Sequence, residues 1–362
     1  MNKKITAMIL LTVWALLTAF AWFLPSQEMS DTERRPLAQR PQISINSVLK
    51  GEFMEDFTEY SLDQFPFRDS FRRIKSLFHY YVLGQKDNNG IYIAGGSAAQ
   101  QEYPLREDSV AHAIERFAYV YDRYLQNANV YMAIVPDKGY YLAEEAGQLA
   151  MDYEALFDAF RDGMPWASHV DLTKYLTAED YYRTDTHWRQ ENLLGAAQAL
   201  CEAMDVTAPK REDYTVTTLE RPFYGVYYGQ AALPMEPDTI CLLESELLSS
   251  CTVYDFESGK TSTVYDMGKL NGKDLYEVYL SGSRSLLTIE NPNASTDREL
   301  ILFRDSFGSA IAPLLVQGYA KVTMVDIRYI QPALLEQFVD FAGKDVLFLY
   351  STLVLNNSIT IK

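Results

Sequence analysis

From residue 110 to the C-terminus the chain switches repeatedly between two hydrophobic periods, and that alternation constrains its fold more than any other feature. Val110, Ile114, Phe117, Tyr121 and Leu125 recur at helical spacing behind Asp108 or Ser109 as a helix cap, and residues 130–135 then form an unbroken apolar run closed by Pro136. Helical spacing returns over residues 153–160, a short strand is expected at 169–172, and a helix over 190–204. The plan continues with a strand at 300–303, a helix from Ser306, a strand at 321–325, a helix over 332–341 and a strand at 345–350. Continuous apolar strands separated by amphipathic helices predict an α/β domain, with a mainly parallel central sheet covered by helices on both faces.

Two stretches stand outside this plan. Between residues 214 and 290 Val, Thr and Tyr are frequent, and Ser258-Gly259, Asn271-Gly272 and Ser281-Gly282 supply turns, so a small antiparallel β insertion is expected there. At the other end, Lys3 and Lys4 precede an uncharged run from Ile5 to Leu24. Twenty helical residues span about 30 Å, enough to cross a bilayer core. The run ends in Trp22-Phe23-Leu24-Pro25 rather than in small residues, which suits an uncleaved transmembrane anchor better than a cleaved signal peptide. Positive charge ahead of the span places the remainder outside the cytoplasm, in a single-pass membrane protein, or a secreted one if the segment is removed. The expected organisation is therefore an anchor over 1–25, a polar linker over 26–44 and an extracytoplasmic domain over 45–362. That domain begins with two short helices, rich in phenylalanine, meeting at Pro66.

Composition narrows the function. A net charge of -17 argues against nucleic acid as a partner. Cys201, Cys241 and Cys251 are too few for a disulfide framework, although Cys241 and Cys251 remain candidates to pair in an exported domain. His79, His112, His169 and His187 are scattered and form no metal-ligand motif, so no metal centre is indicated.

The residues with chemistry to offer are Asp185-Thr186-His187-Trp188 and Arg304-Asp305-Ser306-Phe307. A serine hydroxyl needs a base to remove its proton, and an imidazole serves when its other nitrogen is held by a carboxylate. Asp185, two positions before His187, projects on the same side of an extended loop and can hold it. Ser306, where a strand gives way to a helix, lies among unpaired backbone N–H groups that suit an oxyanion. Each also has an ordinary structural reading, with Ser306 or Asp305 as helix caps, His187 as a buried histidine and Asp185 as a turn former. Tyr329 is a candidate to orient substrate, and Gly225 and Asn356 lie in loops that could add oxyanion donors. Lys138 at a strand end is assigned no catalytic role, and Ser97 after Ala94-Gly95-Gly96 is a decoy.

The chain resembles the DHHW family of exported bacterial proteins and, more distantly, the alginate O-acetyltransferases of the AlgX and AlgJ type. The resemblance rests on Arg34-Arg35-Pro36-Leu37-Ala38, Asp63-Gln64-Phe65-Pro66-Phe67-Arg68, Val135-Pro136-Asp137-Lys138, residues 182–188 and residues 304–307, in that order. Thr186 replaces the first histidine of the name-giving motif and leaves the Asp-x-His pair intact. The resemblance implies an SGNH-hydrolase-like sandwich, with Asp185, His187 and Ser306 as its triad. It further implies serine-dependent O-acetylation of a cell-surface or exported polysaccharide, with no bound cofactor and with a membrane-bound O-acyltransferase passing acetyl groups outward. Two other readings remain open: a carbohydrate acetyl esterase with the same triad, and a non-catalytic polysaccharide-binding or scaffold protein.

Overall fold

The computed structural model describes residues 3–362, which divide into two compact units. The first comprises residues up to Ile91 together with Val226–Met235, and the second comprises Tyr92–Gly225 and Glu236–Lys362.

The first unit opens with helix α1 (Lys3–Phe23), long and apolar enough to cross a membrane by length and composition. Helices α2 (Glu52–Asp63) and α3 (Arg68–Leu77) follow, separated as expected around Pro66, and a π-turn over Phe78–Val82 extends α3. Residues 26–44, expected as a spacer, are pinned within this unit. Arg35 grips Asp63 with two hydrogen bonds of 2.8 and 2.6 Å, and the Ala38 N–H donates to the same carboxylate. Arg68 and Arg72 converge on Glu33. Two sequence motifs, with Arg35 and Asp63 28 residues apart, thereby form one charged knot, and the Arg35 guanidinium holds the Asp63 carboxyl down at about 2.

In the second unit strand β1 (Ser97–Gln100) precedes helix α4 (Glu107–Val120), β2 (Asn129–Val135), α5 (Tyr153–Gly163), β3 (Ser168–Val170) and α6 (Leu194–Ala203). A hairpin of β4 (Thr215–Phe223) and β5 (Asp238–Glu244) forms its own two-stranded sheet. Then come β6 (Thr252–Asp255), β7 (Lys260–Ser262), β8 (Leu286–Glu290), β9 (Glu299–Arg304), α7 (Gly308–Leu315), β10 (Lys321–Val325), β11 (Asp345–Ser351) and α8 (Thr352–Leu355).

The large sheet has the order β7-β6-β8-β10-β9-β11-β2-β3, parallel from β10 to β3 and antiparallel from β7 to β10. Only the β4–β5 hairpin of the expected insertion stands apart; β6, β7 and β8 extend the main sheet, because β8 pairs with β10 over its whole length. The central strands alternate sides in register with the pleat. Leu300, Leu302, Leu347 and Leu349 join α6 and α7 in one core, while Ile301, Phe303, Val346 and Phe348 join α4 and α5 in the other. Each fully buried leucine of this kind contributes about 1.5–3 kcal/mol relative to exposure. The result is a mixed α/β fold with a large, mostly parallel sheet between helical layers.

Some elements differ from the sequence reading. The helix expected over 332–341 is a 3-10 segment, Pro332–Gln337, and the one expected from Ser306 starts at Gly308. Cys201, Cys241 and Cys251 are all buried and free, so Cys241 and Cys251 do not pair.

Chain direction creates a crevice. After β9 the chain crosses one face through α7, and after the adjacent β10 it crosses the other through Pro332–Gln337, whose Leu335 belongs to the opposite core. The carboxyl ends of β9 and β10 therefore form a topological switch point, where open α/β sheets bind ligands.

Candidate active site

Residues 180–189 fold into a narrow hairpin. Tyr181 and Trp188 form an antiparallel bridge, the Tyr182 N–H donates to the His187 carbonyl at 3.0 Å, and the Arg189 N–H donates to the Asp180 carbonyl at 2.7 Å. Asp185 and Thr186 sit near the tip. One Asp185 oxygen accepts both the His187 backbone N–H at 3.1 Å and the His187 ring at Nδ1, 2.6 Å away. The other ring nitrogen, Nε2, lies 2.8 Å from Ser306 Oγ, across 119 residues of sequence. An ionised carboxylate only accepts, so Nδ1 carries the ring proton and Nε2 accepts from the serine hydroxyl. Asp185 is fully buried and His187 nearly so, whereas Ser306 is partly accessible. The imidazole stacks on Tyr276 at 3.9 Å with a 12° interplanar angle and meets the Phe307 ring at 5.0 Å.

Ser306 follows β9 at the switch point. It does not cap α7: the N-cap position is Phe307, without a side-chain bond. Asp305 shapes the turn instead, accepting the Phe307 N–H at 3.0 Å through one oxygen and the Ser351 N–H and hydroxyl at 2.7 and 2.6 Å through the other. The Gly308 N–H is spent on the Asp305 carbonyl at 3.1 Å. Among the described residues the Ser306 N–H makes no hydrogen bond, which leaves it as this turn's donor for an oxyanion.

The two segments are fastened to each other. The Trp188 indole N–H donates to the Phe307 carbonyl at 3.0 Å, and Gln190 Nε2 donates to the Ala310 carbonyl at 2.9 Å. The hairpin is also held from behind. Asp238 at the start of β5 accepts the Arg183 N–H at 2.9 Å, the Thr184 N–H at 2.8 Å and the Thr184 hydroxyl at 2.6 Å. Lys138, beyond the end of β2, donates to the carbonyls of Tyr182 and Arg183 at 2.8 and 3.3 Å. Burial pushes its ammonium down to about 7, against the opposing pull of Asp185, Asp238 and Asp137. From β1 the Ala98 N–H donates to the Arg183 carbonyl at 2.7 Å.

Of the six residues proposed from sequence, the structure brings Asp185, His187 and Ser306 together; the Gly225 N–H and the Asn356 amide are bonded elsewhere, and Tyr329 makes no hydrogen bond to the three. The Gly225 N–H is occupied by Thr184 Oγ1 at 2.9 Å, so it is not an oxyanion donor; a Cβ added at Gly225 would lie 2.3 Å from Asp185 Cβ, and glycine is what lets the chain pass there. Asn356 is buried with its amide spent on Glu102, Pro104 and the Arg106 N–H, tying those chain segments together. Tyr329 is 52% exposed with the Arg328 guanidinium over its ring, and no hydrogen bond among the described residues joins it to the three. Ser97 lies in β1, outside the group. The sequence reading missed Thr184, Asp238 and Tyr276, and it gave Lys138 no role. Only the adjacency of Thr184 to Asp185 and of Lys138 to a strand end hinted at them.

The sequence model of the DHHW protein family matches residues 169–325, a span that contains all three grouped side chains. Over that span, just under half of its length, the chain is similar to the DHHW family. A DHHW family protein from Eubacterium siraeum superposes with a TM-score of 0.62 at 23% identity, covering 76% of this chain and 95% of that one. Bacillus cereus PatB1 superposes with a TM-score of 0.56 at 18% identity, covering 73% of this chain and 96% of that one. It is also known with a sulfonyl adduct, at 17% identity and the same TM-score of 0.56. The O-acetyltransferase domain of Pseudomonas putida AlgJ is more distant, at a TM-score of 0.45 and 15% identity over 74% of this chain and 92% of that one. No curated protein sequence matches the chain.

Proposed function

We propose that the protein is a serine-dependent O-acetyltransferase acting on a cell-surface or exported polysaccharide. The observation that carries the reading is the relay of 2.6 Å from Asp185 to His187 and 2.8 Å from His187 to Ser306, at the switch point of an α/β sheet. In the first half-reaction His187 Nε2 takes the Ser306 proton as Oγ bonds to the acetyl carbon of the donor. The imidazolium, stabilised by Asp185, then protonates the departing group and leaves an acetyl ester on Ser306. In the second half-reaction a sugar hydroxyl attacks that ester, gives its proton to Nε2, and Ser306 departs with the proton returned. The Ser306 N–H steadies the oxyanion in both halves.

A Ser-His-Asp group at the strand ends of a helix-covered, mostly parallel sheet supports reading the domain as an SGNH-hydrolase-like sandwich, with the serine last in chain order. Helix α1 serves as a membrane anchor over 1–25, residues 26–44 lead from it, and residues 45–362 work outside the cell. A membrane-bound O-acyltransferase is the proposed source of acetyl groups. The motifs shared with alginate O-acetyltransferases point to a polysaccharide acceptor.

The test is acetyl transfer by the purified full chain from an activated acetyl ester, with and without envelope oligosaccharide. Sugar should raise the rate of ester consumption and appear acetylated, and Ser306→Ala should remove about 10³-fold or more of the activity. A sulfonyl electrophile should add to the wild-type chain and not to Ser306→Ala, by analogy with the adduct of PatB1. Acetate release indifferent to sugar would make the protein an esterase, and activity unchanged by Ser306→Ala would remove the serine from the chemistry.

A further inference from the structure

Helix α3 turns a polar face toward the protein: Arg68 and Arg72 bond to Glu33, Arg72 Nη2 donates to the Gly229 carbonyl at 3.0 Å, and buried Ser76 accepts from Asn88 at 2.7 Å, while Asp69, Arg73 and Lys75 stay exposed. The opposite face carries Phe67, Phe71, Ile74, Phe78 and Val82, spaced 4, 3, 4 and 4 residues apart as one stripe down α3 and its π-turn. These side chains are between 47% and 67% exposed. A soluble unit would gain by burying such a stripe, and contiguous exposed apolar surface of this kind marks a binding face.

The surroundings identify what covers it. The stripe starts at the apolar helix, where the Phe67 ring meets Phe20 of α1 edge-on at 6.4 Å. Helix α2 runs alongside the same end: its Phe57, Tyr60 and Ser61 line a cavity of about 240 Å³ with Trp14, Leu17 and Ala21 of α1. Trp14 to Phe23 covers ten residues, about 15 Å of helix, so both helices lie level with the final part of the span. A segment held at that depth and presenting phenylalanines beside a membrane-spanning helix meets lipid before it meets a soluble partner.

We infer that the stripe from Phe67 to Val82 is an interfacial face embedded in the outer leaflet of the membrane that α1 crosses. The first unit then rests on the bilayer by two elements, a spanning helix and a surface helix, and the charged knot of Glu33, Arg68 and Arg72 fastens the surface helix to the segment that follows the span. This inference rests on the anchor reading of α1 and not on the acyl-transfer chemistry.

The test uses the full chain in vesicles of phosphatidylethanolamine and phosphatidylglycerol. The three native cysteines are buried, so a nitroxide reagent reports on introduced ones. The variants are Ile74→Cys and Phe78→Cys on the stripe, Asp69→Cys on the polar face and Leu11→Cys within α1. At positions 74 and 78, collisions with oxygen should exceed collisions with a water-soluble nickel chelate several-fold, and position 69 should show the reverse. Chelate-dominated collisions at 74 and 78 would overturn the inference, as would shielding from both probes, which would mean that a second copy of the chain covers the stripe. A water-accessible label at position 11 would instead overturn the anchor reading itself.

Discussion

Replacing Gly225 with alanine tests whether the Asp185 arm is positioned by packing. Gly225 lies outside the left-handed region of backbone conformation, so alanine carries no conformational penalty there and the effect is one of contact. The new Cβ would meet Asp185 Cβ at 2.3 Å, Asp185 Cα at 2.5 Å and the Thr184 carbonyl oxygen at 2.5 Å, where ordinary contact begins at 3.4 Å. About 1 Å must open, and two of the three colliding atoms are main chain, so a rotamer change cannot relieve it. The relay bonds of 2.6 and 2.8 Å tolerate only a few tenths of an ångström before leaving the hydrogen-bonding range. A displacement of this size costs about 10²-fold in rate, or about 2.7 kcal/mol of transition-state stabilisation, and overpacking adds about 1–3 kcal/mol of lost stability. The assay is kcat/KM on an acetyl ester, measured well below the melting temperature of each variant, beside a thermal melt. Wild-type kcat/KM in Gly225→Ala would refute the reasoning. A lowered melting temperature with the rate intact would refute the positioning role and leave only a structural one.

Three further outcomes are expected. In the folded chain burial holds the Lys138 ammonium down at about 7 against an ordinary 10.5, so between those values the unfolded chain binds the extra proton and wild-type stability rises with pH; Lys138→Met should lose that rise in melts taken across the window. The Asp63 carboxyl, held at about 2 by Arg35 against an ordinary 3.8, contributes stability above 3.8 that disappears as the pH falls toward 2; Asp63→Asn should flatten that part of the acid-unfolding curve relative to wild type. Trp188→Phe keeps an aromatic ring but removes the donor to the buried Phe307 carbonyl; it should cost about 1–3 kcal/mol in denaturant unfolding and lower the ester rate, and unchanged values of both would show that the indole does not fasten the two segments.

What could be read from the sequence was local. The strands at 130–135, 300–303, 321–325 and 345–350 were each legible as short, largely apolar segments, and all lie within strands of the parallel part of the sheet. Asp185 and His187 were legible as a pair because the spacing that brings carboxylate to imidazole lies within three residues. Ser306 was legible only as a serine at a strand end, since its 2.8 Å contact to His187 depends on how two segments 119 residues apart are folded. The β6, β7 and β8 strands were read as part of an insertion because period alone does not reveal which sheet a strand joins. The segment of α3 was legible as a phenylalanine-rich helix after Pro66, but composition does not say which face turns outward.

The supports of the arm were the least legible, for a physical reason. A hairpin tip is the kind of element that moves most readily, yet proton relay requires the ring to stay within hydrogen-bond distance of both partners. The chain resolves this conflict by spending buried polar groups from distant places on one short segment: Asp238 from β5, Lys138 from the end of β2 and Ala98 from β1 all bond to residues 182–184. Such groups carry no hydrophobic period, and singly each resembles an ordinary surface residue in the sequence. The β4–β5 hairpin thereby acquires a definite task. Placing Asp238 behind Thr184 and Gly225 behind Asp185 fixes the carboxylate, the carboxylate fixes the ring, and the ring meets Ser306. Removing the Asp238 carboxylate would leave two backbone N–H groups and a hydroxyl without their acceptor, and the disturbance would fall on the residues immediately before Asp185 rather than on the sheet.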